Sequence, residues 1–296
     1  WLAHVLGRSR YAADLLIRAP ESVALLGEPD GLRPRSSAAL TATFLRAARR
    51  KEDPVKAVIA VAGLRRQELV RIVLADLVGE LDIAGVGLAL SDLAAATIAA
   101  TLDTAQRVVA AKRPDGLGVD LMVVGMGSLG GSEMGYSSDA DVIVVHECHE
   151  GVSEADGQAQ AVAVVQELLR LLAAAGADGL TVDLDLRPEG KNGPLSRSLT
   201  AYAAYYERWA LTWEFQALLR ARVLIGPGDL ADRFTTLIEP LRWPAAGLDA
   251  ARTREVRTMK ARVEAERLPR GADPRTHLKL GRGGLTDIEW TVQLLQ

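Results

Sequence analysis

The sequence is poor in the features that mark several common protein classes. Its 296 residues include one cysteine, Cys148. No internal disulfide can form, and a reducing, cytoplasmic setting is expected. Net charge is low: 35 basic against 38 acidic side chains leave a formal −3. That gives no reason to expect a nucleic-acid partner. No uninterrupted apolar run approaches the ~18–20 residues a membrane span needs, so no membrane partner is expected. The opening WLAHVLGRSR lacks the charged-then-apolar order of a signal peptide. No repeat of fixed period is visible. His4, His146, His149 and His277 do not stand at zinc-site spacing from Cys148. The chain opens on Trp1 and closes on DIEWTVQLLQ without a cap signal, and it reads as a piece of a longer polypeptide cut within a helix.

What is present suits a globular protein: 49% of residues are hydrophobic and 25% charged. Residues 1–112 read as helices, with apolar side chains at helical spacing. Pro54 suits a first helical position, and Ser91 is the expected N-cap of an alanine-rich helix. The period changes near residue 113. LMVVGM and DVIVVHE are short β-branched runs of strand length. A helix follows and ends at Gly176. LTVDLDLRPEG then alternates Val182, Leu184 and Leu186 against Asp183, Asp185 and Arg187, which predicts a strand with those three polar side chains on one face. The rest returns to helix, and Tyr205, Trp209, Trp213 and Phe215 on one helical stretch are expected in the core or at a domain contact.

The two short hydrophobic runs enclose VVGMGSLGGSEMGYSSDADVIVV, residues 123–145. Gly125, Gly127 and Gly130 spell the glycine pattern of a dinucleotide-binding turn. The context fails it. The continuation SEMGYSSDAD is a poor helix and too short for a crossover, and the acids precede the second strand instead of following it. No Lys-Ser/Thr follows the glycines, so a P-loop fails too. A second pattern fits each part: Gly127-Ser128, ten residues, then Asp139-x-Asp141, a fingerprint of nucleotidyl transfer. The loop's N–H groups and the Ser128 hydroxyl can hold phosphates. Asp139 and Asp141, two apart where a strand begins, share a face. They repel unless a cation lies between them. Mg²⁺ accepts such oxygens while keeping sites for phosphate oxygens. Asp183 or Asp185 can supply a third carboxylate. Asp287 and Glu289 lie two apart in a helix and point to different faces.

Taken in order, GMGSLGGSEMGYSSDADVIVVHE, VDLDLRPEGKNGPL, WEFQALLRARVLIG and HLKLGRGGLTDIEWTVQLLQ resemble the glutamine-synthetase adenylyltransferases, over roughly residues 120–296. The resemblance implies an α+β fold: a nucleotidyltransferase (polymerase-beta-like) core with a small mixed sheet, flanked by N-terminal and C-terminal helical segments. The expected divisions are a helical region 1–112, a catalytic core 113–225 and the start of a helical domain at 226–296. Members carry two catalytic halves. One transfers AMP from ATP to a tyrosine hydroxyl of glutamine synthetase, and the other removes it by phosphorolysis. GYSSDADV, RPEGKNGPL and GRGGLTDIEW look more like the C-terminal, AMP-transferring half of actinobacterial members. The removing half, another metal-dependent nucleotidyltransferase and a non-catalytic scaffold are the competing readings.

By the same resemblance Asp139, Asp141 and Asp183 bind Mg²⁺ and act in catalysis, with Asp185 the weaker third carboxylate. Gly127, Ser128, Gly130, Gly131, Arg187 and Lys279 are expected to hold ATP, with Arg282 a further phosphate contact. Ser128 stands where many members have a basic residue. Glutamine synthetase is the implied protein partner, with a nitrogen-signalling regulatory protein as a second.

Overall fold

The computed structural model describes every residue except Pro29 and Ala246. It is a mixed α+β structure. The N-terminal helices are α1 (Leu2–Arg8), α2 (Arg10–Arg18), α3 (Ser37–Arg49), α4 (Pro54–Val78) and α5 (Ile83–Ala110). Local chemistry sets their ends. The Asp53 side chain accepts from Lys56 N at 2.8 Å, directly before Pro54 at the first helical position. Gly79 closes α4 in the left-handed region, φ 84°.

Helix α5 starts earlier than the sequence predicts. Asp82, not Ser91, is its cap, accepting from Gly85 N at 2.7 Å. Ser91 lies fully buried inside the helix, and its hydroxyl donates to Gly87 O at 2.7 Å. Thr97, Thr101 and Thr104 donate to the carbonyl four residues back in the same way. These internal bonds let hydroxyls sit in an apolar interior. The expectation that no segment suits a membrane span needs correction here: α5 is long and apolar enough by length and composition. It is a core helix instead, packed on α3, on α4 and on the later helix Glu154–Ala174.

The sheet follows. Strand β1 (Val119–Gly125) leads into a single helical turn, α6 (Gly127–Gly130), and β2 (Ala140–Cys148) returns beside β1. Helix α7 (Glu154–Ala174) is capped by Ser153, and a left-handed Gly176 follows it. Two two-residue strands, β3 (Val182–Asp183) and β4 (Arg197–Ser198), both pair with β2 in parallel. After α8 (Leu199–Arg208) and α9 (Thr212–Leu218), β5 (Arg222–Ile225) pairs antiparallel with β1. The order is β3-β2-β1-β5, with β4 also on β2. Parallel and antiparallel pairs make the sheet mixed, as expected.

The strand predicted through Arg187 stops at Asp183. One Asp183 carboxylate oxygen accepts from Asp185 N at 2.6 Å, and Arg187 N donates to Leu184 O at 3.1 Å. A side chain that bonds the backbone two residues on turns the chain out of the sheet. Asp183, Asp185 and Arg187 therefore do not share a strand face.

The chain forms two compact units. One comprises residues 1–199 and 220–230, and the other 200–219 and 231–296. In the first, one hydrophobic core runs from Leu15, Phe44 and Leu74 in the helices to Val123 and Val144 in the sheet. The helical region and the sheet thus share an interior. The second unit contains α10 (Gly228–Arg242) from Ala231 onward, α11 (Ala250–Arg267) and α12 (Leu285–Leu295). There Tyr202 packs edge-on against Phe234, with centroids 6.2 Å apart. Tyr205 donates to Glu214 at 2.9 Å, and Lys260 pairs with Asp287. Trp209, expected in the core or at a domain contact, is not in the core: it is 71% exposed between α8 and α9.

A shared interior predicts a shared transition. Phe44→Ala should remove about 3–5 kcal/mol of stability, because Phe44 is buried to 1% exposure. Urea unfolding should show the loss with the same midpoint shift for helical circular dichroism and for a probe in the sheet.

Candidate active site

The pairing of β2 with β3 determines the centre. Ala140 pairs with Val182 and Asp141 with Asp183. Residues in register on neighbouring strands present side chains to the same face, so the two carboxylates are neighbours. Asp139 stands two residues ahead of Asp141, immediately before β2 begins, and is exposed. The structure therefore brings Asp139, Asp141 and Asp183 to one end of β2. Asp185 follows the turn away, 3.3 Å from Lys191 and 3.8 Å from Arg187. Its charge is met by these cations.

The glycine turn abuts this cluster. Met126 N donates to Asp141 O at 2.8 Å, which ties the turn to β2. Gly127 has φ 50°, and a Cβ there would collide with the Asp141 carboxylate. Glycine is required on both counts. At Gly130 a Cβ would strike the Arg220 and Gly125 carbonyls, so the backbone approaches too closely for any side chain. Gly130 N donates to Met126 O at 2.8 Å and Gly131 N to Gly127 O at 3.1 Å. These two glycines shape the turn. The first N–H groups of so short a helix have no carbonyl within it; of these, Gly127 and Ser128 are part-exposed, whereas Leu129 is fully buried.

Arg222 was not singled out from the sequence. From β5 it donates to Gly130 O and Leu129 O, each at 3.1 Å, and so braces the end of α6. From beneath, Ser91 accepts from Met134 N at 3.4 Å. The Tyr136 hydroxyl donates to Asp76 at 2.7 Å, and burial pushes its pKa up.

Arg187 is buried, and its guanidinium donates to Leu184 O (2.8 Å), Gly193 O (3.0 Å) and Lys191 O (3.1 Å). It holds the loop after β3 together. Lys279 belongs to the second unit, where its side chain is exposed and its carbonyl accepts from Thr286 N and Oγ1 at 3.0 and 2.6 Å. Arg282 is also exposed in that unit.

The residues present fit Mg²⁺. All three donors are carboxylates, the hard oxygen ligands this ion selects. Among the described residues neither Asp139 nor Asp183 makes an ion pair, so their charge is not already neutralised by an arginine or lysine. The turn bond from Asp185 N orients the Asp183 carboxylate.

Comparison with known proteins identifies the family. A family model described as glutamate-ammonia ligase adenylyltransferase matches residues 1–236. The chain belongs to this family. It is 52% identical, over all of its length, to a bifunctional glutamine synthetase adenylyltransferase/adenylyl-removing enzyme of Streptomyces coelicolor. The same-named enzymes of Mycobacterium leprae and Mycobacterium tuberculosis are 50% and 46% identical over the whole chain. The chain spans only 31% of the Streptomyces coelicolor protein and 30% of the two mycobacterial ones. It thus covers under a third of the length of these adenylyltransferases.

Gly127→Ala should introduce strain of roughly 1–3 kcal/mol and displace the Asp141 carboxylate. The expected result is lower stability in denaturant and weaker Mg²⁺-dependent ATP binding. A variant unchanged in both would remove the role assigned to the turn.

Proposed function

We propose that this chain transfers AMP from ATP to a tyrosine hydroxyl of glutamine synthetase, on a polymerase-beta-like nucleotidyltransferase core. It acts as the C-terminal, AMP-transferring half of a longer bifunctional enzyme. The observation that carries this reading is the Asp141–Asp183 register beside a glycine turn that only glycine can build. The family supplies the substrate: the relatives are named for adenylyl transfer to, and removal from, glutamine synthetase.

Asp139, Asp141 and Asp183 would hold Mg²⁺, which when bound neutralises phosphate charge and makes the attacking hydroxyl more acidic. The chain's own residues do the positioning. N–H groups of Gly127 and Ser128, with the Ser128 hydroxyl, take the β- and γ-phosphates. No side-chain charge is needed in the turn, consistent with serine standing where many members carry a basic residue. The tyrosine oxygen attacks the α-phosphorus in line and gives its proton to Asp183. The bond to the β-phosphate oxygen breaks, and pyrophosphate leaves. Positioning and charge neutralisation dominate such a transfer. Arg187 and Arg222 act through the backbone they brace.

Labelled ATP, Mg²⁺ and glutamine synthetase test the reading. AMP on a tyrosine supports transfer. Phosphate-dependent release of the adenylyl group from adenylylated glutamine synthetase as ADP, without transfer, assigns the removing half instead. Asp139→Asn and Asp141→Asn should each lower transfer by roughly 100-fold or more with an unchanged circular dichroism spectrum. Full activity in either variant would overturn the metal-site assignment.

A further inference from the structure

A second cluster of ligating side chains lies on the other face and at the other end of β2. Strand alternation separates Asp141 from the set Val142, Val144, His146 and Cys148. His146 and Cys148 therefore share a face, and Glu154 joins them from the first turn of α7. One ring nitrogen of His146, the Cys148 sulfur and a Glu154 carboxylate oxygen lie within 4.8 Å of one another. The expectation that no histidine stands at zinc-site spacing from Cys148 fails here. An i, i+2 pair on a strand needs only a third ligand from the next element. His149, by contrast, pairs with Asp120 at 3.3 Å and takes no part.

His146 is fully buried. Its Nδ1 lies 2.9 Å from the Ser196 hydroxyl, while its Nε2 has no hydrogen-bond partner. A buried polar nitrogen without a partner is costly, and this pattern is that of a metal-binding imidazole: one nitrogen oriented by a hydrogen bond, the other open. Glu154 makes no ion pair among the described residues. Burial holds His146 below the ordinary imidazole range, which keeps the ring neutral and its lone pair available. Burial, with Glu154, Asp156 and Glu147 nearby, pushes the Cys148 thiol up. A cation is what would turn that thiol into a thiolate. Gly157 on α7 sits directly against the Cys148 sulfur, where a Cβ would collide, so helix and strand are already close.

We propose that His146, Cys148 and Glu154 form a binding site for a thiophilic divalent cation of the zinc class, separate from the carboxylate site on the opposite face of β2. The donor set of one imidazole, one thiolate and one carboxylate suits Zn²⁺ and disfavours Mg²⁺. Tetrahedral ligation brings nitrogen and sulfur to roughly 3.6 Å, and rotation of the exposed Glu154 can close the third side. Three protein ligands leave one position for water. Binding displaces the Cys148 proton to solvent, and no redox change occurs.

The full chain, reduced and freed of metal with a chelator, is titrated with Co²⁺. The expected result is uptake of one equivalent with a thiolate-to-cobalt charge-transfer band in the near ultraviolet, abolished by Zn²⁺. The chain's single cysteine makes that band specific to Cys148. Glu154→Gln should weaken Co²⁺ binding about 10-fold or more, and Asp141→Asn should leave the band unchanged. No band in the unsubstituted chain overturns the site. So does an unchanged affinity in Glu154→Gln, or a band that Asp141→Asn removes.

Discussion

The two-residue pairing of β3 with β2 sets the candidate site of this fold. Asp141 and Asp183 occupy paired positions on adjacent strands, and Asp139 stands just before the first of them. Like charges held this close destabilise the folded chain unless a cation or a set of donors answers them. Asp185 N bonds one oxygen of Asp183, and the backbone of the glycine turn lies against Asp141. On the function proposed above, a divalent cation bound with a polyphosphate would meet the charge of this group. Other features of the first unit can be understood as holding this unfavourable arrangement in place. These are the two-residue β3, the braces from Arg222 and Arg187, and the hydroxyl of Ser91 beneath the loop.

Much of this was legible in the sequence because the relevant signals are local. Gly-Ser and Asp-x-Asp at fixed spacing, each beside a β-branched run, are enough to place Ser128, Asp139 and Asp141 on a turn and a strand start. The helices 1–112 declare themselves by apolar spacing. What misled was also local. Alternation continues through VDLDLR and reads as a strand. The Asp183 side chain competes for the backbone at Asp185 and ends the strand, and periodicity carries no trace of that competition. Similarly Ser91 looks like a cap, yet Asp82 captures the helix start nine residues earlier.

Other parts were not legible because they depend on contacts far apart in the chain. Nothing in the local sequence tells that Arg222 bonds carbonyls 92 and 93 positions away, or that Arg187 spends its donors on its own loop. His146 and Cys148 raise no alarm as text, since metal-site spacing is usually sought among four ligands with longer gaps. Only the strand geometry and the approach of α7 bring Glu154 beside them.

The loop that delivers Asp183 is tethered by helices that carry no chemistry. Arg18 and Arg66 hold the Asp178 carboxylate, at 2.7 and 2.6 Å, and Arg65 holds the Asp178 carbonyl at 3.1 Å. Those partners lie 160, 112 and 113 positions earlier in the chain. A strand of two residues has too few ladder bonds to set its own register, so its placement is borrowed from the helical layer. Loosening the helical layer at Asp178 would therefore shift Asp183 itself, although none of the three arginines bonds to it.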